Sequence, residues 1–415
     1  MKAALVIVSF DSPARLRKHL ERLAAQTRKP DSIIVVCTGT IPVGPVLSEF
    51  SSSLSLRQIS PGNVGPAGGF RAGEELAFSE GYDYVIFADD DALPSDERTL
   101  ELLLGHADSG VPLAAGYYLD GGPVKVTNHY LMARRDVIAR AGFYLRAFFL
   151  GFEDIEYAAR VGREAPVVRD RAVRIDHHTW WAATDSGRSY YFHRNGLAYE
   201  AMKGDLAGFV MLFHQHLQRS LFIAAFLRKT AFLGSFAMAF SDFLRGRLGS
   251  REVASVPLPL PEAEAGGAVP LDTDHAGLEH PFGYGDFIPV PSMAPPMTLR
   301  KSLGLCLRLR GKDVILTNHS LPSFSLALVF ARRVFLFDWK RKKPCLYYRN
   351  PVPLSLLAAL SLPFLAALSL ALAAPAYLLK KGFYRKLLSR SVESDRAFCS
   401  GKGSPGRGTP GRSAS

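Results

Sequence analysis

Three acidic side chains stand in a row, Asp89-Asp90-Asp91, directly after the apolar, β-prone run 83–88. At the end of a strand, alternate aspartates can present two carboxylates to one hard divalent cation while the middle one turns aside. Such a cation offsets the charge of a diphosphate and stabilises its departure. Pro94 stands where an EF-hand loop needs glycine, which excludes that reading. A solvated acidic turn capping a helix that starts near Ser95 is the alternative. A second acidic group, Glu153-Asp154-Ile155-Glu156, follows Phe148, Phe149 and Leu150. Burial among them would raise a carboxylate toward the range useful to a general base. The competing reading is an acidic first helical turn favoured by the helix dipole.

Two further runs and one loop carry polar chemistry. Asp176-His177-His178-Thr179-Trp180-Trp181 follows the strand-like stretch 167–175. A neutral imidazole there could complete a metal site begun by the aspartates, and the tryptophans could stack on a sugar. Tyr190-Tyr191-Phe192-His193-Arg194-Asn195 opens a helical stretch running toward Glu200, with ordinary aromatic packing as the alternative. The loop 62–69 (Gly-Asn-Val-Gly-Pro-Ala-Gly-Gly) precedes a helix expected over 70–79. Its glycines let backbone N–H groups approach phosphate or sugar oxygens, and Arg71 adds a charged fork. No Gly-Lys-Ser/Thr follows, so it is not a Walker loop.

The elements that must hold these groups alternate. Residues 4–9 and 33–37 are short, β-branched apolar runs of the kind buried on both faces of a sheet. Between them Ser12-Pro13 opens a helical pattern with Leu16, Leu20, Leu23 and Ala24 on one face. Strands alternating with helices predict an α/β layered domain with a mainly parallel sheet, whose ligands bind beyond the carboxyl ends of the strands.

Beyond residue 205 the pattern changes. Residues 206–250 predict an amphipathic helical extension, 251–300 a Pro/Gly-rich linker, and 301–390 a strand-rich appendage. Within that appendage 352–379 lacks charge and is divided by Pro363, with Lys340 to Lys343 before it and Lys380, Lys381, Arg385 and Lys386 after it. Positive flanks on both sides favour a re-entrant or interfacial hairpin over a full crossing. Residues 391–415 read as a disordered tail.

Across 415 residues the net charge is +12, and 48% of side chains are hydrophobic. Wholesale disorder is thereby excluded, and the charge favours anionic partners. No recognition-helix or zinc-finger pattern appears, and the positive charge gathers beside apolar stretches, so a membrane face is expected and nucleic acid is not. The four cysteines have no CxxC spacing and suggest neither a disulfide framework nor a zinc site. The N-terminus reads as a first strand rather than a signal peptide.

In this order and spacing the set resembles a family 2 glycosyltransferase of the GT-A fold, over roughly residues 4–250. The elements are Val8-Ser9-Phe10-Asp11-Ser12-Pro13, Gln26-Thr27, Asn63-Val64-Gly65-Pro66-Ala67-Gly68-Gly69, Asp89-Asp90-Asp91, Glu153-Asp154-Ile155-Glu156 with Arg160 and Gly162, and the run ending at Asn195. The Asp-His-His-Thr-Trp-Trp and Tyr-Phe-His-Arg-Asn runs look closest to galactofuranosyltransferase-like members, and rhamnosyltransferase-like members share much of the pattern. The resemblance implies a catalytic domain over 1–205 and an inverting transfer from a UDP- or dTDP-sugar, UDP-galactofuranose among them, to a glycan or lipid-linked hydroxyl. It implies Mn²⁺ or Mg²⁺ held by Asp89, Asp91 and His178, with Asp154 as general base. Ser9, Phe10, Asp11, Asn63, Gly65, Arg71 and Asp90 would meet the donor; Glu153, Glu156, Trp180, Trp181 and His193 would meet the acceptor. Many relatives carry an acidic residue after the second strand where Cys37-Thr38 stands here, which leaves the base open. The expected location is the cytoplasmic face of the inner membrane, peripheral or monotopic. A silent sugar-nucleotide or glycan-binding protein of the same fold is the alternative, and the joint presence of Asp89, Asp91 and Asp154 argues for the enzyme.

Overall fold

A computed structural model describes residues 1–119, 123–177, 185–226, 228–257, 269–272, 288–289, 310–316, 331–338, 343–349 and 352–401. The chain divides into two compact units. One comprises Met1–His178, Leu248–Arg251 and Phe383–Ser415; the other comprises Thr179–Arg247 and Glu252–Gly382. The first boundary falls at 178, ahead of the 205 expected, because the helix at 186–203 belongs with the helices after it.

In the first unit the order is β1 (Ala3–Ser9), α1 (Pro13–Ala24), β2 (Ser32–Cys37), α2 (Gly44–Phe50), β3 (Leu56–Ile59), α3 (Gly65–Ser79), β4 (Tyr84–Asp89) and β5 (Leu93–Pro94). There follow α4 (Thr99–Asp108), β6 (Leu113–Tyr118), β7 (His129–Arg134), α5 (Arg135–Ala141), α6 (Glu153–Glu164) and β8 (Val168–Asp176). The sheet runs β3-β2-β1-β4-β7-β6-β8-β5. β1 pairs in parallel with β2 and β4, whereas β7 runs antiparallel between β4 and β6. This is the α/β layering that the alternating pattern predicted, with a mixed sheet whose first strands are parallel.

Every residue of β1 and β2 is buried, as β-branched runs covered on both faces must be. Fully burying each such Val, Ile or Leu contributes about 1.5–3 kcal/mol. The parallel register aligns Val8 with Asp89, so β1 and β4 deliver their carboxyl ends to one edge of the sheet. That edge is where an α/β sheet offers a ligand site.

The glycine-rich stretch differs from its expectation. Residues 65–69 are the opening turns of α3, which starts at Gly65 with proline in its first turn. A Cβ on Gly73 would lie 2.3 Å from Val6 Cγ1, and one on Gly69 would lie 2.9 Å from Val8 Cγ1 and Thr38 Cγ2. These glycines therefore let the helix lie close on β1 and β2.

The second unit holds α7 (Ser186–Lys203), α8 (Leu206–Phe226) and α9 (Ala231–Arg245), so the helical extension expected over 206–250 is helical. Phe209 packs on Phe243, and Phe213 on Phe236 and Phe240. Tyr190 donates to Asp242 at 2.6 Å. Short strands β9 (Val269–Asp272), β10 (Ile288–Pro289), β11 (Asp313–Leu316), β12 (Arg333–Asp338) and β13 (Lys343–Arg349) form a five-stranded sheet in the order β10-β9-β11-β12-β13. Most of the stretch expected to be a linker lies outside the described residues, but 269–272 and 288–289 are strands within it.

The C-terminal expectations need two corrections. No hairpin forms at 352–379: α10 (Val352–Cys399) continues through Pro363 and Pro375 as one helix. Nor is 391–399 a tail. It is the end of that helix, and Asp395 on it is buried.

Candidate functional site

Two strand ends, one antiparallel neighbour and one helix start build the acidic site of the first unit. Asp89 is the last residue of β4, with its side chain 27% exposed, and Asp91 two residues on is 22% exposed. Asp90 between them is buried and accepts from Ser9 Oγ at 2.7 Å, so it fastens the end of β1 to the turn after β4. Burial pushes Asp90 up to about 6, against the pull of Arg15 and the Ser9 hydroxyl. Burial also raises Asp89 well above the ordinary carboxylate range, and the neighbouring carboxylates of Asp91, Glu153, Asp90 and Asp154 add to it. Mutual repulsion of this kind is what a cation relieves.

α6 supplies the other carboxylates. It begins at Glu153 after Phe152, whose φ is +67°, and Glu153 and Asp154 occupy its first turn. Glu153 is 5% exposed, its Oε2 has no hydrogen-bond partner, and burial with the adjacent Asp154 raises it strongly. Asp154 is half-buried. Burial lifts it to about 6, while the amides of Ile155 and of Asp154 itself, and then His177, hold it down. A carboxylate near 6 on the rim of such a site is poised to accept a proton.

Several residues at the site carried no assignment in the sequence. Asn128 donates from Nδ2 to Asp89 Oδ2, and its own Oδ1 is buried without a partner. His129 Nε2 lies 3.9 Å from Asp89 Oδ2, and its Nδ1 lies 2.6 Å from Tyr118 Oη. Burial holds His129 neutral, with its pKa well below the usual value. The rings of His129 and His177 are 3.9 Å apart, and His177 Nε2 is 3.6 Å from Asp91 Oδ1. Arg15 of α1 donates to Asp91 Oδ2 at 3.2 Å and lies 3.6 Å from Asp90. Asn128 and His129 arrive because β7 pairs antiparallel with β4, with a bulge at Phe87/Ala88 that sets Ala88 opposite His129. The polar run 127–129 just before a strand was the one signal available for them.

Hard oxygen donors beside an imidazole are a donor set that suits Mn²⁺ or Mg²⁺. Asp89 and Asp91 thus fit the ion on the repulsion just described. Among the described residues no three His, Cys, Asp or Glu side chains form a metal-ligating group, and His178, expected as the third ligand, lies outside them. Trp180 and Trp181 lie outside them as well.

The other expected donor and acceptor residues divide. Ser9 meets Asp90, and Phe10 beside it is 51% exposed at the end of β1. Asp11 Oδ1 accepts from the amides of Thr40 and Ile41 at 2.6 and 2.7 Å, tying the loop after β2 to the loop after β1. Asn63 is exposed, and Gly65 behind it is buried. Three of the expected residues have partners within the protein. Arg71 pairs with Glu75 and Asp395 and donates to the carbonyl of Tyr144. Glu156 is buried in a two-point ion pair with Arg160, one helical turn along α6. His193 belongs to the core of the second unit, 2% exposed, with its ring 4.5 Å from that of His216 and 5.5 Å from that of Phe236.

Residues 4–156 match the model of the glycosyl transferase family 2. Galactofuranosyltransferase GlfT1 of Mycobacterium tuberculosis (strain ATCC 25618 / H37Rv) is 39% identical over 109 residues, which cover 25% of this chain and 34% of that protein. GlfT1 of Mycolicibacterium smegmatis is 35% identical over 102 residues, with the same two coverages. The chain thus matches about a third of the length of these curated relatives. Among solved structures, S. aureus TarS 1-349 in complex with UDP-GlcNAc aligns with a TM-score of 0.43 at 13% identity, over 59% of this chain and 81% of that one. Mannosyltransferase PcManGT from Pyrobaculum calidifontis, in complex with GDP-Man and Mn²⁺, aligns with a TM-score of 0.37 at 14% identity, over 60% and 76%.

Proposed function

We propose, on the premise that the chain carries a family 2 glycosyl transferase domain at residues 4–156, that it moves a sugar from a nucleotide-diphosphate donor to an acceptor hydroxyl with inversion. The observation that carries this reading is the raised, half-buried Asp154, which acts electrostatically on Asp89 at the end of β4. Asp154 takes the proton of the hydroxyl as it attacks the anomeric carbon, and one in-line displacement inverts the configuration. Asn128 donates to the Asp89 carboxylate and holds it in place, with the neutral His129 packed 3.9 Å away. Ser9 and Asp90 lock the strand ends that would meet the nucleotide. Asp89 and Asp91 would hold a divalent cation, which when bound offsets the charge of the diphosphate. The GlfT1 similarity supports UDP-galactofuranose as the first donor to test.

A panel of nucleotide sugars with Mn²⁺ tests the reading. Stabilisation and turnover with UDP-sugars, and weakened metal-dependent donor binding in Asp91→Ala, are the expected results. If no nucleoside diphosphate or sugar nucleotide shifts the melting temperature and none is turned over, the reading fails.

The acceptor is proposed to be a glycan or lipid-linked glycan at the cytoplasmic face of a membrane. Supporting this, α10 is long and apolar enough to cross a membrane, and it exposes Phe364 at 67%, Leu370 at 57% and Leu379 at 72%, followed by Lys380 and Lys381. Apolar surface of this kind bordered by cations suits anionic lipid. The full chain should float with anionic vesicles, and more weakly with neutral ones. Flotation with neither would remove the membrane from the proposal.

A further inference from the structure

The backbone between α5 and α6 is buried at 142–145, makes one 3-10 turn at Arg146–Phe148, and gathers strained conformations at its far end. Phe149, Gly151 and Phe152 all have positive φ, two of them without the freedom of glycine. Such conformations persist only where the surroundings over-determine them. Asp154 follows two residues after Phe152, so what holds this segment also holds the proposed base.

The hold comes from ionisable side chains on three elements. Arg160 of α6 donates to the carbonyls of Ala141 and Phe143. Glu74 of α3 accepts from the amide of Tyr144 at 3.0 Å, and Arg71 donates to the carbonyl of Tyr144 at 3.2 Å. Asp395 near the end of α10, 2% exposed, accepts from the amide of Phe143 at 3.0 Å and pairs with Arg71 at 3.2 Å. Backbone groups buried away from water must be paired, and here side chains do what a strand partner would otherwise do. The segment then passes the constraint on: Tyr144 Oη meets Thr127 Oγ1, which donates to the carbonyl of Asp154 at 3.3 Å.

We infer that Asp395 is a positioning residue of this glycosyltransferase: by clamping Phe143 and Arg71 it fixes the segment 143–152 that presents Asp154. The inference rests on the proposed role of Asp154, and its test separates the two. In the full-length chain, Asp395→Ala removes both contacts, while Asp395→Asn keeps an acceptor for the Phe143 amide and loses the charge facing Arg71. Arg396→Ala serves as the control. Arg396 sits on the same helix end and donates to the carbonyl of Arg140 at 2.8 Å, outside the clamped segment.

Hydrogen exchange of amides 143–154 should speed up markedly in Asp395→Ala, less in Asp395→Asn, and not in Arg396→Ala. With an active donor, kcat should fall roughly 10- to 100-fold in Asp395→Ala, because small misplacements of a catalytic group cost about that much, with KM for the donor within about twofold. Unchanged exchange at 143–154 in a folded Asp395→Ala or Asp395→Asn overturns the inference whether or not transfer is detected. Faster exchange with kcat unchanged per folded molecule overturns it too, and leaves Asp395 a stabilising contact only. Absence of transfer in the parent chain defeats the proposed function, while exchange still decides whether Asp395 holds the segment.

Discussion

Asp154→Asn is expected to bind donor like the parent chain and to transfer sugar roughly 10²–10⁴ times more slowly, the usual contribution of a positioned general base. The asparagine keeps an oxygen for the Ile155 amide, which Asp154 Oδ1 accepts at 2.8 Å, so the start of α6 is not disturbed. The pH dependence follows from the upward shift. With Asp154 raised to about 6, the base is protonated at lower pH, so the rate should fall about tenfold per unit below 6 and flatten above it. The variant's residual rate should lack that limb. Stability moves the other way. A carboxyl raised in the folded state costs nothing at pH values below its ordinary 3.8, and lowers stability progressively as pH climbs from there through 6. Asp154→Asn should therefore melt no lower than the parent at pH 8. A variant that transfers at the parental rate, or an acid limb unchanged by the substitution, would remove Asp154 from the mechanism.

Gly65→Ala is expected to damage fold and activity together. Gly65 has φ +66°, and a Cβ there would stand 2.2 Å from the carbonyl oxygen of Phe149 and 2.8 Å from its ring. That oxygen also accepts from the Ala67 amide at 3.2 Å, so it cannot retreat without unpairing the first turn of α3. Left-handed backbone on a residue with a Cβ and an overpacked contact together predict a loss of roughly 2–5 kcal/mol. The melting temperature of the first unit should drop, and because Phe149 leads into Phe152 and Asp154, kcat should fall in the fraction that stays folded. Parental melting with parental activity would show that the close approach of α3 to Phe149 is not a constraint.

The sequence carried the parts of this protein whose physics is local. Continuous β-branched runs can only be buried strands, and β1, β2 and β4 lie where residues 4–9, 33–37 and 83–88 placed them, within a residue or two. Three aspartates after such a run end at a sheet edge whatever else the chain does. Several differences share one cause: a partner that lies far along the chain. Arg71 looked available for phosphate, yet besides Glu75 one turn along the helix it pairs with Asp395, 324 residues away. Glu156 and Arg160 stand at helical spacing and could have been paired by that rule, but the apolar surroundings that bury them come from other elements. His129 and Asn128 enter the site only through antiparallel pairing at a bulge, which no periodicity announces. His193 sat in a motif but faces a histidine on another helix. Pro363 predicted a break, and the helix continues through it and through Pro375 as well.

The ion pair between Arg71 and Asp395 also bears on how the protein is born. A ribosome adding about 5–20 residues per second needs roughly 15–65 s to travel the 324 positions that separate them. During that interval the Phe143 amide lacks its acceptor, and the half-buried Arg71 guanidinium has Glu75 but not Asp395 as a counter-charge. On the inferred role of Asp395, a transfer-competent domain is completed only when α10 emerges, so premature termination upstream of it should yield idle polypeptide, a candidate for chaperone capture or proteolysis.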